Sequence, residues 1–430
     1  MARGRAALGE VLANRDFRIL WSGVVTSQIG DWLHLTALGW YVLELGGNAA
    51  SVANIMAAGL LPQLLLTLIG GVAADRWPKR QVLLAIGATQ LVVSAAFAGL
   101  VITSSLNVTG LTVFAFLLGC LAALWQPVYL SYIPELVPSD RLDTAMGLSL
   151  SALHTARTVG PALAGVLIGL IGTQPIFLLN AASFLAPVLV LLRLTRDGEP
   201  PERRASPLKH VRQGFAGLCE DPVLLGLWLS AVALSLLALP FLALVPVYAQ
   251  DVFLRGPGAL GLLMSAIGVG QLVGAAIISL GFVESVNRSG LFQLTGYLLM
   301  GVLLTLFARA PSVAFAAALL FGFNLLHGLL SPRVNAIVQR RMGARDRGTG
   351  QALFLLVFGL VPLGQVALGA LAVRAGVVPA TTAFGVVFTL VIALLIAVAG
   401  PLRRYNVPDA ERPAAASAGL SAPEAPANDD

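Results

Sequence analysis

The chain contains little charge and almost no cysteine. Asp, Glu, Lys and Arg make up 11% of its 430 residues, whereas a typical soluble domain has about a quarter. Its two cysteines, Cys120 and Cys219, lie in an apolar run and in a charged loop, which argues against a disulfide framework or a cysteine-based metal site. The sequence also lacks a phosphate-binding loop, a His-x-x-x-His pair and clustered carboxylates. We therefore expect no ATP drive, no metal, no cofactor and no enzyme activity.

Apolar residues are present in excess. They make up 57% of the chain, and the mean hydropathy is +0.86. A soluble core of this size could not hide that excess, so the composition predicts an all-α membrane protein, with the lipid bilayer as its main partner. The first ten residues lack a signal-peptide pattern, so we expect the first apolar run to be kept as a span. Twelve apolar runs are long enough for transmembrane helices, near residues 19–43, 52–73, 82–104, 110–133, 146–170, 175–194, 223–249, 258–282, 290–308, 312–335, 350–372 and 378–400.

A charged and polar segment at residues 195–222 separates six runs from six. Within it, apolar residues recur at helical spacing, which favours a short amphipathic helix on the inner membrane surface over a solvated linker; these residues are Leu208, Val211, Phe215 and Leu218. The last residues are rich in Ala and Pro and lack apolar periodicity. We predict an N-terminal six-helix half (1–194), a cytoplasmic central loop (195–222), a C-terminal six-helix half (223–404) and a disordered cytoplasmic tail (405–430).

Lys and Arg are concentrated in alternate loops. With the N-terminus inside, the outer loops hold only Arg255, Arg309 and Arg374. Basic residues are retained on the cytoplasmic side, so both termini should be cytoplasmic. The net charge of +6 is explained by the basic residues of these cytoplasmic loops. We therefore expect no nucleic-acid partner. This pattern suits a multi-pass protein of a bacterial inner membrane.

The loop between runs two and three reads Gly71-x-x-x-Asp75-Arg76-x-x-Lys79-Arg80. The orientation of the chain in the membrane explains why Arg76, Lys79 and Arg80 lie in this loop. It does not explain Asp75, because acidic residues contribute little to membrane orientation. The pattern resembles the loop signature of the major facilitator superfamily at every defining position. The resemblance covers the chain except its tail, and it implies two six-helix halves that rock around a central cavity, usually in a monomer.

The resemblance also implies a role for this loop. Gly71 would permit close helix packing, Asp75 would meet the positive N-terminal end of span eleven, and Arg76 would pair with nearby acids. Together with Lys79 and Arg80 they would form a cytoplasmic gate that opens in each cycle. The matching loop of the second half keeps only Glu284 and Arg288. An Asp-Arg pair does recur in corresponding loops of the two halves, at 140–141 and 346–347, which favours a parallel repeat.

Three segments, at 14–45, 132–148 and 156–165, are similar to the enterobactin exporter and macrolide efflux group of that superfamily. This resemblance implies export. Gly160-Pro161 and Gly165 also resemble part of the span-five antiporter signature, although Ala156 and Ala164 replace two of its glycines. A kinked helix with small-residue packing explains the same residues.

Asp31 is the one acid deep inside a predicted span, twelve residues from either end of run 19–43. An ionised Asp at that depth costs about 2.5–3.5 kcal/mol, and such residues commonly serve as proton relays. A structural acid is the alternative. Gln28 and His34 lie three residues to either side of it, and span five offers His154 and Arg157, so Arg157 could be its counter-ion. We predict proton coupling by Asp31, Arg157, His34 and His154.

Further polar side chains lie in spans four and ten, which line the central cavity in the superfamily. With Gln28, they give four candidate substrate ligands: Gln28, Gln126, Asn324 and His327. Interhelical hydrogen bonding is the alternative for each. Few of these candidates carry a fixed charge, which favours a neutral or amphipathic substrate over a multiply charged anion.

Together these features predict a secondary active transporter, a proton-coupled exporter of a small amphipathic molecule such as a siderophore, a macrolide or another drug. Uptake or facilitated diffusion is one alternative. A non-transporting membrane sensor on the same scaffold is another.

Overall fold

The computed structural model describes residues 9–194, 218, 220–279, 289–341 and 357–406, and within these ranges every regular element is a helix. Several predicted features lie outside the described residues. They are the amphipathic helix of the central loop, the second-half loop with Glu284 and Arg288, the Asp-Arg pair at 346–347 and the tail beyond residue 406.

The first half consists of α1 Arg15–Glu44, α2 Ala49–Arg76, α3 Lys79–Ile102, α4 Val108–Leu136, α5 Leu142–Ile171, and α6, which has two segments, Gln174–Ser183 and Leu185–Arg193. The second half consists of α7 Pro222–Val252, α8 Pro257–Ser279, α9 Ser289–Ala308, α10 Val313–Arg341, α11 Val361–Ala375 and α12 Val377–Val398. A short helix, α13 Gly400–Arg404, follows.

Local sequence explains where many of these helices begin and end. The side chains of Asn14, Asn107 and Asp221 accept hydrogen bonds from backbone N–H groups in the first turns of α1, α4 and α7. Gly172 follows α5 with φ 79°, and Gly376 follows α11 with φ 92°. Glycine adopts this left-handed backbone without the strain that other residues suffer.

Consecutive helices run in opposite directions, so the bundle has two ends. We call the end where α1 begins, marked by Asn14, the near end. The opposite end, where the Thr173 hydroxyl donates to the Glu44 carboxylate over 2.7 Å, is the far end. The predicted orientation places the near end in the cytoplasm.

The two halves repeat one packing pattern. Helix α2 packs against α4 as α8 packs against α10, and α3 packs against α6 as α9 packs against α12. Between the halves, α5 packs against α8, and α2 against α11. This arrangement matches the parallel repeat predicted from the Asp-Arg pairs.

Among the described residues, nine helices are long and apolar enough to cross a membrane, namely α3 to α10 and α12. Helices α2 and α11 contribute the shorter apolar stretches Ala49–Leu64 and Val361–Ala375. Helix α1 is 30 residues long, but Gln28, Asp31 and His34 make it more polar. The count of twelve spans remains a prediction.

Helix α7 is irregular. A π-helical stretch at Leu234–Ala238 precedes a 3₁₀ stretch at Leu239–Leu244, and a second π-helical stretch closes the helix at Tyr248–Val252. Pro240 and Pro246 lie in its middle, where they cannot donate backbone hydrogen bonds. Proline therefore accounts for the loss of regular α-helix here.

Candidate functional site

Three helices of the first half, α1, α4 and α5, enclose a crevice. Its polar lining consists of two amides, Gln28 and Gln126, and two hydroxyls, Tyr129 and Ser149. The hydroxyl oxygens lie 3.2 Å apart and are buried. The rest of the wall is apolar, formed by Val24, Val25, Leu130, Leu150, Ala152 and Leu153. The structure thus brings Gln28 and Gln126 together, as a shared substrate site requires.

Asp31 lies one helical turn beyond Gln28 on α1, towards the far end. Spacings of three and four residues put Val24, Gln28 and Asp31 on one face of the helix. Asp31 is half-buried. Its carboxylate forms no hydrogen bond or ion pair with the residues that the structure describes.

Arg157 stacks on an aromatic ring. Its Cζ lies 5.2 Å from the centroid of the Trp32 ring, a favourable cation–π geometry. The guanidinium makes no ion pair with Asp31, although α1 and α5 pack together as expected. The two helices pack together as the sequence predicted, but in this structure the guanidinium contacts the Trp32 ring and not the Asp31 carboxylate.

Gly160 sets the approach of α5 to α1 at this point. A Cβ at Gly160 would overlap the Cβ of Trp32 and come within 3.2 Å of the backbone oxygen of Ile29. Any larger residue would push the helices apart and move the Trp32 ring away from Arg157. Gly160 therefore packs tightly, as the alternative reading of its motif predicted.

Small residues join the two halves between the middle and the far end of the bundle. A Cβ at Gly165 of α5 would overlap the Cα of Gly261 of α8. We call the following pairs the far seam: Gly165 with Gly261, Thr158 with Gly268, Gly39 with Pro246, and Ala53 with Gly369. Each pair has one residue in each half, so the seam closes the far end.

Charged side chains bind helix ends together at the near end of the first half. The Lys79 ammonium lies 2.6 Å from the Glu135 carboxylate, which ties the start of α3 to the end of α4. The Arg80 Nε donates to the Leu191 carbonyl of α6 over 2.8 Å. Arg141 pairs with Glu10, which precedes α1.

A second cluster holds the near end of the second half. The Arg341 Nε lies 2.6 Å from an oxygen of Asp221, and the Arg341 guanidinium also stacks on Tyr405 at 5.2 Å. Burial favours the neutral acid, but the hydrogen bonds from Arg341 and two backbone N–H groups, with the charge of Arg341, hold the pKa of Asp221 below its usual value. Leu402 of α13 is fully buried beneath α7 and α9.

Comparisons with known proteins agree with this architecture. The profile of a family described as "Transmembrane secretion effector", within the major facilitator superfamily, matches residues 10–424. The chain belongs to that family. It is 23% identical over 367 residues to the staphyloferrin A transporter of Staphylococcus aureus, covering 83% of this chain and 90% of that protein. It is 27% identical over 381 residues to the multidrug efflux pump Tap of Mycobacterium tuberculosis, covering 84% and 87%.

A solved structure shares the fold. A bacterial homologue of the human lysosomal transporter Spinster, in an inward-facing and unoccupied conformation, superposes with a TM-score of 0.69 at 14% identity. The match covers 90% of this chain and 97% of that one. The chain is therefore a multi-pass membrane transporter of the major facilitator superfamily, as its sequence indicated, and the relatives include efflux proteins.

The structure describes the side chains of three residues of the predicted cytoplasmic gate, Arg76, Lys79 and Arg80. Lys79 and Arg80 bind partners in their own half. Arg76 is exposed and forms no ion pair with a described residue. Gly71 and Asp75 lie in α2, and their side chains are outside the described part of the structure.

The other coupling candidates are dispersed. The His34 ring packs between Phe97 and Phe177, with centroids 5.0 and 5.1 Å away, so it belongs to an aromatic cluster of α1, α3 and α6. His34 does not line the crevice that contains Gln28. The side chain of His154 lies outside the described residues.

The two substrate candidates of α10 are buried. Asn324 is 3% exposed, and its amide donates to the Leu320 carbonyl over 2.9 Å. His327 is 6% exposed. Neither lines the crevice with Gln28 and Gln126.

Sequence reasoning missed Glu135, Tyr129 and Ser149. Glu135 lies within the segment 132–148, which resembles the efflux group, but nothing in that resemblance singles it out. Spacing offered a signal for Tyr129, which follows Gln126 by three residues and so shares its helix face. Ser149 could be found only from the packing of α4 against α5.

Proposed function

We propose that this chain is a proton-coupled exporter of a small amphipathic molecule, working by alternating access between its two halves. The observation that carries the proposal is Asp31. It is a carboxylate in the middle of a predicted span, one helical turn from Gln28 of the crevice, with no partner among the described residues. Such an expensive placement is expected of a group that takes up and releases protons.

Arg157 supports this role without neutralising Asp31. Because Trp32 holds the guanidinium, the carboxylate is left available to a proton. The positive charge nearby would favour proton release once water reaches the site. We assign coupling to Asp31 and Arg157 and the first contact with substrate to Gln28 and Gln126.

The closed far seam supports an inward-facing state when combined with the predicted orientation. In the opposite state, the near end would close and the far seam would separate. We propose that Gly71, Asp75 and Arg76 form their contacts with the second half only then. On this view Lys79 and Arg80 hold the first half rigid, with both termini in the cytoplasm of a bacterium.

Export is favoured over uptake because the subgroup resemblance and the efflux-named relative agree. The test is transport by purified protein in liposomes with an imposed pH gradient, scored with a panel of siderophores, macrolides and dyes. We expect gradient-driven movement that an uncoupler abolishes. Asp31→Asn should abolish it at unchanged folding, whereas Asp143→Asn, at an exposed acid in the first turn of α5, should leave it intact. Movement unaffected by the gradient would refute the proposal.

A further inference from the structure

One amide side chain of the second half is buried where the two halves meet. Gln365 lies in α11 and is 4% exposed. Its side-chain oxygen accepts no hydrogen bond from the residues that the structure describes. An amide removed from water without a partner raises the free energy of the conformation that buries it. Which conformation carries this cost therefore depends on where Gln365 lies.

The neighbours of Gln365 on α11 show what its side chain faces. Gly369, one helical turn further along, packs against Ala53 of α2 in the far seam. Gly364 packs against the Leu236 carbonyl of α7. At 3.6 residues per turn, the side chain of Gln365 points between these two contacts. It therefore faces the junction of α2, α7 and α11, where the first half meets the second.

The surroundings of this junction are apolar. Met56 and Ala57, which follow Ala53 by about one turn of α2, are buried and have no side-chain donor. On α7, Pro240 lacks a backbone N–H group. The amide oxygen of Gln365 is thus buried among groups that cannot donate to it, and it stays so while the far seam is closed.

We propose that Gln365 weakens the closed far seam so that the seam can separate in each transport cycle. When α2 and α11 move apart, water reaches the amide and satisfies its oxygen. The unpaired oxygen therefore raises the free energy of the closed seam relative to the open one. This inference rests on the proposed function in taking the far seam to separate in the opposite state.

A substitution of nearly the same shape tests the proposal. Gln365→Met removes the unpaired oxygen, so the population with an open far end should fall about five- to thirtyfold relative to the closed one. Spin labels at Ser105→Cys and Arg309→Cys, exposed far-end positions in opposite halves, would measure both populations in nanodiscs without substrate or a pH gradient. The native cysteines, Cys120 and Cys219, would first be replaced by alanine.

A second substitution should act in the opposite direction. Gln365→Glu introduces a carboxylate, which is more costly to bury than an amide, so in alkaline buffer it should raise the open population. Gln293→Met is the matched control. Gln293 is 0% exposed and belongs to α9, which packs against α10 and α12 of its own half. Any effect of this control on stability should leave the two populations unchanged.

Chemical access gives an independent readout in the same cysteine-free background. Thr158 of the far seam is 5% exposed, and Thr158→Cys introduces a thiol of similar size. Because this thiol becomes accessible to N-ethylmaleimide when the seam opens, Gln365→Met should slow its reaction by the same factor. Gln365→Glu should speed the reaction.

Three results would overturn the proposal. They are an open population that is unchanged or larger in Gln365→Met, an equal shift in Gln293→Met, and a far end that stays closed in every variant. Because these measurements use no gradient, a failure of proton coupling would leave a positive result intact. Conversely, proton-driven export with unshifted populations in Gln365→Met would uphold the proposed function and exclude this role of Gln365.

Discussion

Lys79 and Glu135 form a 2.6 Å ion pair that joins the start of α3 to the end of α4, and the lysine side chain is only 5% exposed. A buried ammonium is costly unless its charge is matched. The pair therefore fixes two helix ends relative to each other inside the first half.

Loss of Glu135 should destabilise the protein. Glu135→Ala leaves the buried Lys79 without this carboxylate, and we expect a loss of about 2–3 kcal/mol in the free energy of unfolding. Replacing both residues, by Lys79→Met with Glu135→Leu, should cost less than the single change because both charges of the pair are then removed together. Thermal unfolding in detergent measures both. A double variant less stable than Glu135→Ala would contradict this account.

Closure of the far seam should depend on the side-chain volume at position 165. Gly165→Val places methyl groups where Gly261 lies, so the far end should open and transport should fall. Spin labels at Ser105→Cys and Arg309→Cys, two exposed far-end positions in opposite halves, would report a longer separation. Gly169→Val is the matched control, because a Cβ there has nothing within 4 Å. Similar distances in the two valine variants would refute the role of the seam.

Trp32 should keep Arg157 away from Asp31. Trp32→Leu removes the ring face, and the freed guanidinium should then pair with the carboxylate and slow transport roughly tenfold, the scale of a partly desolvated cation–π contact. Trp32→Phe keeps a ring and should retain most of the activity. The measurement is the initial transport rate at equal protein density. Equal rates for the two variants would show that stacking is unimportant.

The pair of Asp221 and Arg341 should make stability depend on pH in acid. Because the folded-state pKa of Asp221 is below its ordinary value of 3.8, the stabilisation is fully present above that value and is lost as pH falls through the lowered pKa. Asp221→Asn keeps a helix cap but loses the ion pair, so it should unfold at a lower temperature than wild type at pH 7. The difference should shrink as the pH falls below 3.8 and vanish once the pH is below the lowered pKa of Asp221.

Asp221→Ala separates capping from charge. It should be about 1 kcal/mol less stable than Asp221→Asn, because alanine cannot accept from the N–H groups of Val223 and Leu224. That gap should persist in acid. Identical stabilities of the two variants would exclude a capping role.

Much of the helical fold could be predicted because bilayer thickness fixes the length of apolar runs. Asp31 was identifiable for the same reason, since a lone acid stands out in a span. The partner of Arg157 could not be identified from the sequence. Asp31 and Trp32 are neighbours in sequence, and only the rotation of α1 against α5 decides which of them Arg157 contacts. Likewise, the spacing of Gln28, Asp31 and His34 predicted a row of polar side chains on α1. The packing of α3 and α6 instead surrounds His34 with Phe97 and Phe177.

The two ends of the described chain are held by different halves. Before α1, Glu10 binds Arg141 and Asn14 donates to the Leu136 carbonyl over 2.7 Å, both in the first half. After α12, Leu402 is buried under the second half, and the Gly290 N–H donates to the Tyr405 carbonyl over 3.2 Å. The distance between Asn14 and Tyr405 should therefore change with the angle between the two halves. Fluorophores attached at these two points would follow each turnover without touching the translocation path.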